Sequence, residues 1–249
     1  MKGYEKFQLA LVEAAKEHIR PLEGEAKESL GKVIHNHLFD LDGPRRLSRP
    51  TDARQQYFWR LFQGFIEISK SLETLEDIGV YIRRFPFQDT RISRERYLQF
   101  HVEAHYSEMY ILRDRLTRYA KLVERQFRKD SRVSDAQRTC QAINDSITKS
   151  LNGVVDIRRR HVHEVRFSDD GIDRLGTITL LSQGKTKFSK LMRQYYSYEF
   201  SRVRKRWRDV MKTNLDAVRV LLNAYFDIMY PIVFHEQTKA LRYPKGART

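Results

Sequence analysis

An apolar row that repeats every three to four residues dominates the C-terminal third of this chain. Its members are Val203, Trp207, Val210, Met211, Leu215, Val218, Leu221, Leu222 and Tyr225. This spacing predicts a long helix, because the 3.6-residue period of an α-helix brings such positions onto one face. So much apolar surface on one helix indicates burial in the centre of a helical bundle or at a subunit interface.

The same spacing recurs through most of the remaining sequence. It predicts further helices over about 7–19, 24–39, 52–82, 93–119 and 134–151. The segment 40–50 is the clearest loop, and Asn152-Gly153 predicts a kink or short break. Residues 174–184 are β-prone with glycine near both ends, and they predict a short extended or β-like excursion. The predicted class is therefore all-α, a helical bundle with long helices and that one excursion.

The charge balance makes a polyanion the expected partner. The chain carries 47 Lys and Arg against 32 Asp and Glu, a net charge of +15, and its pI is about 9.9. Nucleic acid is the first candidate, and an anionic membrane surface or an acidic protein is the second.

Cysteine content and hydropathy narrow the cellular setting. The single cysteine, Cys140, excludes an intrachain disulfide and a multi-cysteine zinc site, and it fits a reducing, cytoplasmic compartment. No run of eighteen apolar residues and no signal-peptide core is present, so neither membrane insertion nor export is expected.

A strongly basic segment, residues 201–212, lies on the helix that the apolar row predicts. Its apolar positions belong to that row, so its charged side chains, Arg204 and Arg208 among them, are expected to point outward. They form either an ordinary solvated face or a ridge that follows phosphates. Three tyrosines just before the segment either stack on unpaired bases or pack in the core: Tyr195, Tyr196 and Tyr198.

One pair of histidines has metal-ligand spacing. His101 and His105 are four residues apart, which places them on one helical face, and Glu108 follows one turn later. Val102 stands where a metalloprotease motif would carry its glutamate. Histidines packed or paired inside the bundle are the favoured interpretation, so neither a metal site nor a cofactor is predicted.

The segment 154–164, Val-Val-Asp-Ile-Arg-Arg-Arg-His-Val-His-Glu, concentrates arginine and histidine just before the helical pattern ends. Arginine can hold a phosphate bidentately without losing its charge, and histidine can move a proton near neutral pH. Three consecutive arginines repel one another, and a bound polyanion relieves that repulsion best. A structural alternative pairs Arg160 with Glu164 or Asp156 and uses the histidines to cap the helix C-terminus.

The spacing Arg158-x4-His163 also occurs elsewhere in this basic chain. Arg96 and His101 are separated equally, but they lie in the middle of a predicted helix, where a solvated basic face is expected. The match at 158–163 differs in its setting, since Ile157 precedes the arginine and a helix end follows the histidine. The pair at 96 and 101 therefore serves as an internal control.

Residues 157–164 resemble the R-x4-6-H signature of the HEPN family, all-helical domains many of whose members are endoribonucleases. Family motifs typically read Ile-Arg-Asn-x-x-Val-His-Glu, and here Arg159 stands in place of the Asn. The likeness extends over roughly residues 95–230, including a long helix before the motif.

The resemblance implies a metal-independent endoribonuclease, in which an RNA 2′-hydroxyl attacks the adjacent phosphorus. His163 would act as general base or acid, Arg158 would hold the phosphoryl oxygens, and Arg159 and Arg160 would bind substrate beside them. In the family the motif lines a cleft between two subunits, so a homodimer is implied. The suggested biological role is that of a toxin or anti-phage defence effector with an antitoxin or another partner protein.

Two alternatives stay open. One is a catalytically silent HEPN-like module that binds RNA, nucleotide or protein, and the other is a helical scaffold that docks an acidic protein. Under the family interpretation, residues 1–90 are an N-terminal helical extension packed on the core. Residues 91–240 are the HEPN-like bundle, and residues 241–249 are a disordered tail.

Overall fold

The computed structural model describes residues 2–19, 53–84, 91–128, 136–163 and 168–243. Within these ranges the side chains of residues 17–19 and 154–163 are not described. Most of the described residues are helical. Six helices fill these ranges: α1 (Gly3–Ile19), α2 (Ala53–Arg83), α3 (Arg94–Phe127), α4 (Ala136–His163), α5 (Asp170–Leu181) and α6 (Lys187–Val233). No strand forms in them, and the β-contact they contain is an isolated bridge between Phe234 and Leu241. The predicted all-α class with long helices is confirmed. The predicted helix at 24–39 and loop at 40–50 lie outside the described residues.

The extended excursion predicted near 174–184 is wrong, because most of that stretch is helix. α5 begins after Asp169, whose carboxylate accepts hydrogen bonds from two backbone N–H groups of the first turn, each at 3.1 Å. The buried face of the helix consists of Ile172, Leu175 and Ile178. Burial of that face outweighs the β propensity of the threonines and isoleucines. The chain leaves the helix at Ser182, and Gly184 then adopts a positive φ of 101°.

The short break predicted as one alternative at Asn152-Gly153 does not form, because α4 runs without interruption from Ala136 to His163. Both residues are exposed, and a Cβ atom on Gly153 would meet nothing within 4 Å. Glycine in a helix costs roughly 1 kcal/mol relative to alanine. Burial of the opposite face offsets that cost through the row Cys140, Ile143, Ile147 and Leu151.

The chain divides into two compact units, each with its own core. The first comprises Met1–Phe65, Tyr119–Ile143 and Leu222–Thr249. Aromatic rings fill it, with the ring of Phe7 centred 4.7 Å from that of Phe226 and 5.2 Å from that of Phe234. Gly64 permits this packing, because a Cβ there would lie 2.6 Å from the buried ring of Tyr119. The predicted boundary between residues 90 and 91 stays a prediction.

The chain after α6 is ordered as far as residue 243, which differs from the disordered tail predicted for 241–249. Leu241 is buried and forms the bridge with Phe234, and the backbone N–H of Arg242 donates to the carbonyl of Val233 at 2.8 Å. A buried leucine and paired backbone groups hold these residues to their own unit. Residues 244–249 lie outside the described part of the chain.

The second unit comprises Ile66–Arg118 and Asn144–Leu221, and it carries the candidate site. One apolar cluster drawn from α2, α3, α5 and α6 forms its core: Ile78, Ile82, Leu98, Val102, Ile172, Leu175, Phe200, Val203, Trp207 and Met211. Within the described residues, no helix has the length and apolarity required to cross a membrane.

The apolar row at 203–225 is largely buried by the chain itself. Its members Val203, Trp207 and Met211 lie in the core of the second unit, while Leu222 and Tyr225 are buried in the first. The large exposed hydrophobic residues of this part of α6 are Val220 and Ile228. These contacts favour the bundle-centre interpretation of the row over a subunit interface.

Candidate functional site

The arginine and histidine motif lies on the last turns of α4. The backbone is helical from residue 154 through His163, and the helix end expected after the motif lies outside the described residues. The side chains of Arg158, Arg159, Arg160 and His163, and all of Glu164, lie outside the described part of the structure. Their roles therefore stay predictions.

The helical backbone still constrains the motif. Successive residues of an α-helix are about 100° apart around its axis, so positions 158 and 163 are separated by about 140°. Positions 161 and 163 are separated by about 200° on the same count. A regular α4 therefore does not bring positions 158 and 163 onto one narrow face.

A cationic recess lies on α6, in the basic segment. Ser201, Arg204, Lys205 and Arg208 line a half-open recess of about 230 Å³. Their spacing of three, four and seven residues puts them on one side of the helix. The buried residues Val203 and Trp207 fix this orientation, because they hold another side of the helix in the core. Arg204 and Arg208 thus point outward as predicted, and the structure adds Lys205 and Ser201 to them.

Arg204 is positioned by the end of a neighbouring helix. Its Nη2 donates to the backbone carbonyl of Arg83, the last residue of α2, at 2.8 Å. Such a carbonyl lacks an intrahelical partner, so the guanidinium satisfies it and still presents its charge at the recess. Three cations and one hydroxyl around an open recess suit an oxyanion such as a phosphate group.

Two other arginines of the segment have structural partners. The guanidinium of Arg206 pairs with Asp169 at the start of α5, with 2.6 Å between Nη2 and Oδ2. Arg202 donates from Nε to Oε2 of the buried Glu199 at 2.9 Å, and this hydrogen bond is the main cause that lowers the pKa of that carboxyl. The basic segment is therefore neither uniformly solvated nor uniformly available to a ligand.

The three tyrosines divide between the core and the surface. The hydroxyl of Tyr196 donates to Oε2 of Glu95 at 2.6 Å, and its ring stacks on that of Phe200. Burial, with the hydrogen bond to Glu95, raises the pKa of Tyr196. Tyr195 and Tyr198 are exposed instead. The expectation that at least one of the three packs in the core is confirmed for Tyr196.

The histidine pair in the middle of α3 is packed. His105 is fully buried, with its Nε2 3.2 Å from Nδ2 of Asn214, and burial lowers its pKa to about 4. The ring of His101 lies 4.3 Å from that of Tyr97, and burial lowers its pKa also. The packed interpretation of this pair is confirmed. Glu108, one turn on, accepts a hydrogen bond from the hydroxyl of Ser71 at 2.6 Å.

The internal control pair is split between core and solvent. Arg96 is exposed as predicted, whereas His101 is buried, so the predicted solvated face does not include the histidine. The equal spacing at 96 and 101 therefore produces no shared surface.

Comparison of the chain with protein-family models, with curated proteins and with solved structures finds no match.

Proposed function

We propose that this protein binds RNA at the cationic recess of α6 and cleaves it with the motif on α4, in the manner of a HEPN endoribonuclease. The observation that carries the proposal is the recess itself, in which Arg204, Lys205 and Arg208 surround an open volume of about 230 Å³. A net charge of +15 supports it, because it attracts a polyanion before any specific contact forms.

The chemistry belongs to the motif and follows from the resemblance. His163 removes the proton from a 2′-hydroxyl, whose oxygen bonds to the adjacent phosphorus. The bond from phosphorus to the 5′-oxygen breaks, and that oxygen takes up a proton from an acid or from water. Arg158 stabilises the charge that builds on the phosphoryl oxygens, and Arg159 and Arg160 hold the flanking phosphates. The products are a 2′,3′-cyclic phosphate and a 5′-hydroxyl.

A homodimer is part of the same proposal. Because positions 158 and 163 are about 140° apart on a regular helix, one copy of α4 presents them to different sides. Two copies that meet along this helix place the arginine position of one near the histidine position of the other. A cleft between subunits is also what the resemblance implies. The proposed setting is a reducing cytoplasm, in which the protein acts as a toxin or defence effector controlled by an antitoxin or another partner protein.

Purified protein incubated with a labelled RNA panel in EDTA tests the proposal. We expect cleavage by the wild-type protein and none by Arg158→Ala or His163→Ala. Arg96→Ala is the matched control, because Arg96 is exposed and precedes His101 by the same number of residues as Arg158 precedes His163. His101→Ala is unsuitable as a control, because it removes a buried ring from the core. Cleavage that survives loss of His163 would overturn the mechanism.

A catalytically silent RNA-binding module is the second candidate. The separation of positions 158 and 163 around the helix favours it, as does Arg159 at the family's asparagine position. Binding without cleavage, unchanged by His163→Ala but weakened by substitutions in the recess, would select this candidate.

A further inference from the structure

The first third of α6 exposes a stripe of large apolar and aromatic side chains. Phe188, Leu191, Tyr195 and Tyr198 are 55%, 57%, 41% and 67% exposed. They are three or four residues apart, so they share one side of the helix. Ser189 and Phe200, on other sides, are buried. Exposed residues arranged in a continuous stripe indicate a surface that receives a ligand or partner.

This stripe leads directly into the cations of α6. Arg202 follows Tyr198 by one turn, and Lys205, which lines the recess, lies one turn further. The pKa of Arg202 is raised mainly by its hydrogen bond to Glu199, and the phenols of Tyr198 and Tyr195 contribute to a smaller extent. The helix rises about 4.5 Å between positions 195 and 198 and about 10 Å from 198 to 205. The rings of Tyr195 and Tyr198 and the ammonium group of Lys205 are therefore close enough together to contact neighbouring nucleotides of one strand.

We propose that Tyr195 and Tyr198 form a stacking platform for unpaired bases, which makes the RNA site of α6 selective for single-stranded RNA over duplex RNA. This inference rests on the proposed function, because it takes RNA as the ligand of the recess. Every base has a face that can stack on an aromatic ring, so the platform tolerates many sequences. In a duplex those faces are covered by neighbouring base pairs, so only the backbone is left to bind.

Charge selects RNA over a second copy of the chain as the occupant. Residues 185–212 contain ten Lys and Arg and two Asp and Glu, so they contribute +8 of the net charge of +15. Two copies that met symmetrically through this surface would place those cations against one another, which costs energy. A polyanion with exposed bases complements both the cations and the rings.

The side-chain environments allow a clean test. Neither Tyr195 nor Tyr198 has a hydrogen bond or a ring contact to another described residue, whereas Tyr196 has both. The double variant Tyr195→Ala/Tyr198→Ala therefore removes the platform and leaves the core intact. Tyr195→Phe/Tyr198→Phe retains the stacking faces. Phe100→Ala is a matched control, because Phe100 is 65% exposed but lies on α3.

Fluorescence anisotropy of the full chain with an unstructured RNA, a duplex RNA of equal length and heparin measures the effect. We expect the alanine double variant to lose roughly 5- to 150-fold in affinity for the single strand for each base that stacks. Affinity for duplex and for heparin should stay within about twofold of wild type, since neither polyanion offers a free base. The phenylalanine double variant and Phe100→Ala should match wild type for all three.

Each remaining outcome overturns the inference in a distinguishable way. If the wild-type protein binds RNA but the alanine double variant does not lose affinity selectively for the single strand, the stacking platform is rejected. The proposed RNA function is then unaffected. A wild-type protein that binds neither RNA would reject both. Loss of self-association in the alanine variant, measured by sedimentation, would identify the stripe as a contact between copies.

Discussion

Arg204 and Arg206 lie two positions apart on α6 and have different partners. Arg206 pairs with Asp169, which caps α5, and its guanidinium also lies over the ring of Trp207, 5.3 Å from its centroid. Arg204 satisfies a carbonyl at the end of α2 and keeps its charge at the recess. One arginine therefore stabilises the unit, and the other is available to an anion.

Charge reversal separates these two roles. We expect Arg204→Glu and Arg208→Glu each to weaken RNA binding and to lower the slope of log affinity against log salt by at least about 0.7, the value for one phosphate contact on a single strand. Binding isotherms across a salt series give the slope. Arg206→Gln is the control, and we expect it to leave the slope unchanged. An equal decrease in all three variants would remove the distinction between them.

The orientation of the basic segment was predictable, but its partners were not. The apolar row shows that Arg204 and Arg208 point away from the core. The partner of Arg206 is 37 residues away in sequence and that of Arg204 is 121 residues away. The spacing of residues along one helix does not show which residues of other helices, tens of positions away in sequence, they contact.

His105 makes stability depend on pH. Burial lowers its pKa to about 4, whereas an unfolded histidine titrates near 6.5. Between these values the unfolded state binds the proton and the folded state does not, so stability is full above the unfolded pKa and falls as the pH decreases. We expect this residue to cost about 2 kcal/mol of unfolding free energy between pH 7 and pH 5.

Urea unfolding of wild type and His105→Gln at both pH values measures that loss. The variant is expected to be less stable at pH 7, because it disturbs a buried contact with Asn214, but to lose about 2 kcal/mol less between the two pH values. Parallel curves for wild type and His105→Gln would show that the ring titrates normally.

At the scale of the element, α4 is continuous where its sequence suggested a break. Asn152 and Gly153 are a typical turn pair, and yet the buried row on the opposite face continues from Cys140 to Leu151. The same competition decided α5, whose β-prone stretch forms a helix because Ile172, Leu175 and Ile178 are buried at helical spacing. In both places local propensity predicted a boundary, and packing against residues distant in sequence determined the result.

Gly153→Ala tests the continuity of α4, and Gly64→Ala on α2 is the contrasting substitution at a packed glycine. We expect Gly153→Ala to raise the unfolding free energy by about 0.5 to 1 kcal/mol, because its Cβ meets no atom and alanine favours the helix. Gly64→Ala should lower it by about 1 to 3 kcal/mol, because its Cβ would lie 2.6 Å from the buried Tyr119 ring. Denaturant titrations provide both values. A destabilised Gly153→Ala protein would indicate the break that the sequence suggested.

At the scale of the molecule, the charge distribution and the state of association are the properties that bear on function. More than half of the net positive charge lies in residues 185–212, next to the recess and the exposed rings. The apolar row of α6, by contrast, is largely buried against other residues of the same chain. The homodimer proposal therefore rests on the motif helix rather than on surplus apolar surface.

Sedimentation at micromolar concentration tests the dimer. We expect a species of twice the 29.8 kDa chain mass, because the proposed mechanism places positions 158 and 163 in a cleft between two copies of α4. The Tyr195→Ala/Tyr198→Ala variant should sediment identically. A single 29.8 kDa species at all concentrations would contradict the two-subunit cleft.

The all-α class and the outward face of the basic segment could thus be predicted from periodicity. Three features could not: the place of Lys205 in the lining of the recess, the hydrogen bond from Arg204 to Arg83, and the burial of Tyr196 apart from Tyr195 and Tyr198. Each depends on which helix packs beside α6, and Tyr196 is the clearest case, since its partner Glu95 lies 101 residues away. The motif itself was found by resemblance, because nothing in its periodicity distinguishes Arg158 from Arg96.

The most direct test of the proposed cleavage mechanism is the chemical identity of the RNA ends that the wild-type protein produces in EDTA. Metal-independent attack by the 2′-hydroxyl predicts a 2′,3′-cyclic phosphate on one fragment and a 5′-hydroxyl on the other. A polynucleotide kinase that labels the 5′ end without prior dephosphorylation, together with mass spectrometry of the 3′ end, identifies both. Fragments that carry a 5′-phosphate and a free 3′-hydroxyl, or cleavage that appears only when magnesium is added, would contradict it.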